Sequence, residues 1–119
     1  YKKQKIKPII IAMIENIASV KNLEKLLLIK GLDAILIGPY DLSASMNITG
    51  KFNHSKFKSA ISKIKKLSKK YKIPCGIHVI EPKYKILQKY IKQGYQFLPY
   101  STDIVLLNTA LKKAFNKKL

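Results

Sequence analysis

The fold class predicted from the sequence is α/β: four consecutive β/α units, the C-terminal half of a (β/α)8 TIM barrel. Three observations predict it. Four short apolar runs, at 8–14, 33–37, 74–80 and 95–99, have the length and branching of buried strands. After each run come apolar residues recurring at steps of three and four, the mark of a helix with one buried face. The alternation repeats about every thirty residues, and such alternation gives a parallel sheet with helices outside it. A complete eightfold barrel takes about 250 residues, so the 119 residues form one partial-barrel domain, 1–119.

The first run ends at Glu15, and the helical stretch beyond it places Val20, Leu23, Leu26 and Leu27 on one face, with Gly31 as its stop. The second run stops at Gly38-Pro39, because Pro39 can neither continue a ladder nor donate to it. Leu42 to Ser45 then read as a short helical turn. Following a polar loop, Phe57, Ile61, Ile64, Leu67 and Tyr71 define the clearest helix, with lysines opposite. His54 and Ser55 stand at its start as cap or surface residues. The third run ends near His78 and Glu81, and Pro82 suits the first turn of the next helix. Its apolar face is Tyr84, Leu87 and Ile91, and Gly94 ends it. The fourth run leads through Ser101, Thr102 and Asp103 into a last helix carrying Ile104, Leu107, Leu111 and Phe115, after which a lysine-rich tail is expected to fray.

Composition excludes several functions. No apolar stretch reaches the ~20 residues that span a membrane. The basic start leads into only a short apolar run with no small-residue cleavage site, so it is not read as a signal peptide. The chain lacks an initiator Met, and is expected to begin within something longer. A single cysteine, Cys75, rules out an internal disulfide and fits a reducing, cytoplasmic setting. The net charge of +18 suggests nucleic acid, yet every basic residue is lysine. Arginine supplies the bidentate fork for phosphate and guanine, and the lysines are spread over every helix. The charge reads as a solvated surface, with no nucleic-acid or membrane partner. Neither a Gly-x-Gly-x-x-Gly nor a Gly-Lys-Ser/Thr loop is present, which argues against nucleotide enzymes.

Only six residues are acidic, so their positions carry weight. Glu15, Asp41, Glu81 and Asp103 each follow one of the four runs, at the same end of a parallel sheet. Adjacent strands lie about 4.8 Å apart, so Glu15 and Asp41 can share one cation. Two carboxylates with room for water and substrate oxygens suit Mg²⁺ or Mn²⁺ better than zinc. Acids also avoid cores and gather at strand ends, and Glu81 and Asp103 read as loop or cap residues. Asp41 alone could be an N-cap or a catalytic-site carboxylate; both readings stand at this point. A paired-carboxylate hydrolase would use the same acids. A Schiff-base mechanism is disfavoured, because no apolar run contains a lysine.

Met-Ile-Glu at 13–15, the segment 18–26, the corner Gly-Leu-Asp-Ala-Ile-Leu-Ile-Gly-Pro-Tyr-Asp-Leu-Ser-Ala-Ser at 31–45 and Gly-Lys-Phe-Asn-His at 50–54 resemble the HpcH/HpaI aldolase family. These are class II, metal-dependent aldolases acting on 2-keto-3-deoxy acids, and citrate-lyase β subunits share their architecture. The resemblance implies Glu15 and Asp41 as ligands of a divalent cation (Mg²⁺ or Mn²⁺) that grips a 2-oxo acid and stabilises its enolate. It further implies that the backbone N–H groups of Tyr40 and Asp41 hold the pyruvate carboxylate, beside the Gly38-Pro39 turn. Where the family often has a substrate-contacting glutamine, this chain has Met13. The family's histidine base and arginine belong to the first half of its barrel, for which this chain has no counterpart; His78 could line the mouth of the site, but no motif places it as the base.

The function expected is a carbon–carbon lyase, cleaving a 2-keto-3-deoxy or 4-hydroxy-2-oxo acid to pyruvate and an aldehyde. The half barrel would leave two bare strand edges, predicting a homo-oligomer or pairing with an N-terminal half barrel. The alternatives are a non-catalytic half barrel that binds metal or a 2-oxo acid, a citrate lyase β-like C–C lyase, and a basic surface-binding protein.

Overall fold

Two of the apolar runs become a parallel pair of strands, β1 (Ile11–Ile14) and β2 (Ala34–Ile37). Their register runs from Ile11 opposite Ala34 to Ile14 opposite Ile37. The computed structural model describes residues 7–115, which fall into two compact units that divide between Cys75 and Gly76. The basic start and the tail expected to fray lie outside the described residues. Among those residues no helix is long and apolar enough to cross a membrane.

In the first unit, β1 is shorter than the run that encodes it. Asp33 Oδ2 accepts the Ile10 N–H at 2.8 Å, and the Ile10 carbonyl accepts the N–H groups of Asp33 and Ala34. The ladder therefore starts only at Ile11. The expectation of a strand covered on both faces is met at Ile14 alone: Ile9, Ile10, Ile11 and Met13 are exposed. Among the described residues β1 pairs on one side only, with β2, which leaves it an edge strand.

The helix predicted after β1 is split into α1 (Ile17–Lys21) and α2 (Leu23–Leu27). Asn22 sends both its N–H and its Nδ2 to the Ala18 carbonyl, and this competing side-chain bond accompanies the break. Val20, Leu23 and Leu27 are still buried. After β2 come α3 (Pro39–Ala44) and the 17-residue α4 (Ser55–Tyr71). His54 caps α4 by accepting the Lys56 N–H. At the other end Lys72 turns left-handed (φ 57°), and Ser68 Oγ donates to the Ile73 carbonyl at 2.6 Å. Phe57, Ala60, Ile64 and Leu67 bury the α4 face, which packs against α1 and α2; Leu42 and the strand residues Ile14, Ile35 and Ile37 are buried as well. The Ile35 N–H donates to the Pro74 carbonyl, which leads the chain into β3 (Cys75–Ile77).

In the second unit, the fourth strand is reduced to two isolated parallel bridges, Gly76 with Phe97 and Val79 with Tyr100. Pro99 has no N–H to extend a ladder, and Ser101 turns left-handed immediately after (φ 61°). Gly76 is required by contact: a Cβ there would lie 2.6 Å from the Phe97 ring. Pro82 falls just before the N-cap Lys83 of α5 (Tyr84–Lys92), outside the first turn predicted for it. Neither α5 nor α6 (Asp103–Phe115) contains a buried residue.

Candidate active site

Glu15 is the first residue past β1, and the parallel register carries straight on into the β2 corner. The Gly38 N–H donates to the Ile14 carbonyl at 3.2 Å, so Glu15 stands beside Gly38. A Cβ at Gly38 would lie 3.3 Å from Glu15 Cβ and 3.6 Å from its Oε2. Glycine at the corner is thus what leaves the Glu15 side chain its space.

Gly38 is the N-cap of α3 and Pro39 its first residue, where the missing proline N–H costs nothing. Asp41 lies in the first turn of α3 and not at the cap, which removes the capping reading of this carboxylate. The N–H groups of Tyr40 and Asp41 are among those that a helix leaves without an intrahelical acceptor. Glu15 and Asp41 therefore both follow the C-terminal ends of the parallel β1–β2 pair, Asp41 in the first turn of α3.

The six acids separate cleanly by what they do. Glu24 pairs with Lys70 at 3.0 Å, and Glu81 pairs with Lys83 at 2.7 Å. Asp33 accepts the Ile10 N–H, and Asp103 accepts the Ile104 N–H at the start of α6. Glu15 and Asp41 are exposed, and among the described residues neither carboxylate holds an ion pair or a hydrogen bond. In a chain with 24 lysines, two carboxylates without a partner among the described residues, each just past the end of one of two paired strands, require a reason. No cluster of three or more His, Cys, Asp or Glu side chains occurs among the described residues, so a cation here would draw its remaining oxygens from water and substrate.

Two serines that the sequence reading passed over hold these strand ends together. Ser45 Oγ accepts the Ile17 N–H at 2.9 Å and donates to the Leu42 carbonyl at 2.7 Å, tying the segment after Glu15 to the one after Asp41. Ser43, fully buried, donates to the Tyr40 carbonyl and accepts the Gly50 N–H at 3.0 Å. Tyr40 meets Phe52 edge-on at 5.0 Å, and Phe52 contacts Phe57 at 5.2 Å, which anchors the loop over the corner. The spacing of serines in the corner was the available signal, but their partners lie up to 28 residues away.

The remaining candidates separate in the same way. Met13 Cε would lie 3.7 Å from a Cβ at Gly38, so its thioether borders the corner. His54 is occupied as a cap. His78 is half-buried, and its Nε2 lies 3.1 Å from the Ser101 carbonyl, to which it must donate. Burial pushes the Cys75 thiol up to about 11, so it is no nucleophile at neutral pH.

Comparison with known proteins adds the family. The HpcH/HpaI aldolase/citrate lyase family matches residues 3–110. A 5-keto-4-deoxy-D-glucarate aldolase of Klebsiella pneumoniae is 30% identical over 111 residues, covering 91% of this chain and 43% of that protein. The crystal structure of an HpcH/HpaI aldolase from Desulfitobacterium hafniense superposes with a TM-score of 0.83 at 26% identity, over 93% of this chain and 43% of that one. A family protein from Burkholderia cenocepacia gives a TM-score of 0.84 at 24% identity, over 92% of this chain and 42% of its own. The chain thus spans less than half the length of each of these relatives.

Proposed function

The chain belongs to the HpcH/HpaI aldolase/citrate lyase family, and from that premise we propose that it is the C-terminal half of a carbon–carbon lyase barrel. The reaction is cleavage of a 2-keto-3-deoxy or 4-hydroxy-2-oxo acid to pyruvate and an aldehyde, or the reverse addition. The observation that carries this reading is the state of Glu15 and Asp41, past the ends of two paired strands and without a partner among the described residues, while the other four acids are engaged.

Their chemistry fits a divalent cation such as Mg²⁺ or Mn²⁺: two hard oxygen donors, exposed, with no lysine paired to either among the described residues and with space kept by Gly38. When bound, such a cation supplies Lewis acidity toward the oxygens of a 2-oxo acid. Glu15 and Asp41 hold it. The N–H groups of Tyr40 and Asp41 receive the substrate carboxylate, aided by the partial positive charge of a helix start. Ser45 and Ser43 fix the spacing between these groups. Met13 offers no amide, so the substrate contact made there by a glutamine is absent from this chain.

The base and the cationic side chain for the transition state come from the N-terminal half, as a second polypeptide or an upstream segment. Ile9, 77% exposed, with Ile10, Ile11 and Met13 on the β1 edge, is the surface that half would cover. The test uses Mn²⁺ binding to the chain, followed by pyruvate release on adding an N-terminal half. Glu15→Gln and Asp41→Asn are each expected to weaken Mn²⁺ binding tenfold or more, roughly one charge-assisted ligand. Unchanged Mn²⁺ affinity in both variants sinks the metal assignment. Intact Mn²⁺ binding without pyruvate release in the complemented barrel would instead identify a non-catalytic binding module.

A further inference from the structure

The first unit carries a second concavity, away from the two carboxylates. It is a cleft of about 400 Å³ between α1 and α4, floored by Ile17, Val20, Met46 and Ala60. Its other lining residues include three lysines, Lys21, Lys56 and Lys63, and among the described residues no acid lines it. Apolar clefts of this size with a few polar groups are the usual form of a small-ligand site.

We propose that this cleft binds a small carboxylate with an apolar body, such as a medium-chain aliphatic acid. The floor excludes water from a hydrocarbon, and three ammonium groups around one mouth repel each other until an anion joins them. Lysine stems can lie along the apolar wall while their heads stay hydrated at its edge. Of the three, Lys63 also acts on the Glu24 carboxylate, which is itself bonded to Lys70 at 3.0 Å and Tyr71 at 3.3 Å. Among the described residues no aromatic ring lines the cleft, which disfavours a nucleotide base as the apolar part.

The cleft also backs onto the corner described above. Its wall residue Ile17 donates its N–H to Ser45, and Met46 is the next residue in the chain. The binding itself depends on neither metal nor catalysis, so it stands or falls apart from the lyase reading.

Octanoate titrated into the ¹⁵N-labelled chain tests the proposal, with 1-octanol as the uncharged control. Saturable shifts are expected at the amides of Ile17, Val20, Met46 and Ala60. Octanol, and octanoate with the exposed pair Lys56→Gln and Lys63→Gln, are expected to bind roughly fivefold more weakly or worse, the scale of exposed charge pairing. Ser59→Trp, from an exposed lining position, is expected to fill the cleft and abolish the shifts. Equal binding of octanol and octanoate, full affinity in the lysine variant, no saturation, or shifts centred on α5 would each overturn it.

Discussion

α4 and α6 are both amphipathic by sequence, yet they end in opposite states. α4 buries Phe57, Ala60, Ile64 and Leu67, while every residue of the α6 face is exposed, Ile104 by 75% and Phe115 by 82%. The same periodic rule thus made one helix that helps form the core of its unit and one whose apolar face meets no core. Periodicity states which side of a helix is apolar; it does not supply the surface that covers it. For α4 that surface is supplied by α1 and α2.

The largest effect that would sharpen this contrast lies at Leu42, fully buried within α3. Leu42→Ala is expected to cost ~2–5 kcal/mol in urea denaturation, the range for cavity-forming core changes. Leu107→Ala on α6 should stay within about 0.5 kcal/mol, as for exposed positions. Comparable losses at the two sites would break the distinction.

Ser45→Ala comes next. It strands the Ile17 N–H, and an unsatisfied donor costs ~1–3 kcal/mol. It should also weaken Mn²⁺ binding without touching either carboxylate, whereas Ser45→Thr, which keeps the hydroxyl, restores part of both.

The smallest effect concerns the exposed pair Glu24 and Lys70 on the first unit. The Lys70 ammonium, hydrogen-bonded to Glu24, lowers the carboxyl's pKa. A carboxyl depressed in the folded state contributes stability above its unfolded value and loses it as pH falls through the folded one. The difference in melting temperature between the native chain and Lys70→Gln should therefore be present at neutral pH, vanish in acid, and shrink with salt.

Much of the backbone around the candidate site was readable because its signals are local. Seven apolar or proline residues ending at Glu15 and a Gly-Pro break before Asp41 fix both strand ends within a few residues. The roles of His54 as a cap and of Glu81 and Asp103 as engaged acids follow from neighbours one or two positions away. What stayed illegible is non-local. Nothing in Lys21-Asn22-Leu23 marks a helix break, since Asn22 acts through a bond to Ala18 that helical periodicity does not report. The Ser45–Ile17 bond joins residues 28 apart, and the fourth strand shrank because Pro99 and Ser101 interrupt pairing whose partners lie on β3 and just beyond it. Asp41's place inside the helix, and not at its cap, depended on whether the α3 cap fell at Gly38 or three residues later.

Cys75 opens β3, sealed in the core with its thiol kept protonated. A sulfur in that state meets a maleimide or disulfide reagent only during moments when the strand lifts from its neighbours. Its labelling half-time would act as a built-in clock for the breathing of the sheet, and a docked second half of the barrel should slow that clock if it braces the strands and leave it running unchanged if it does not.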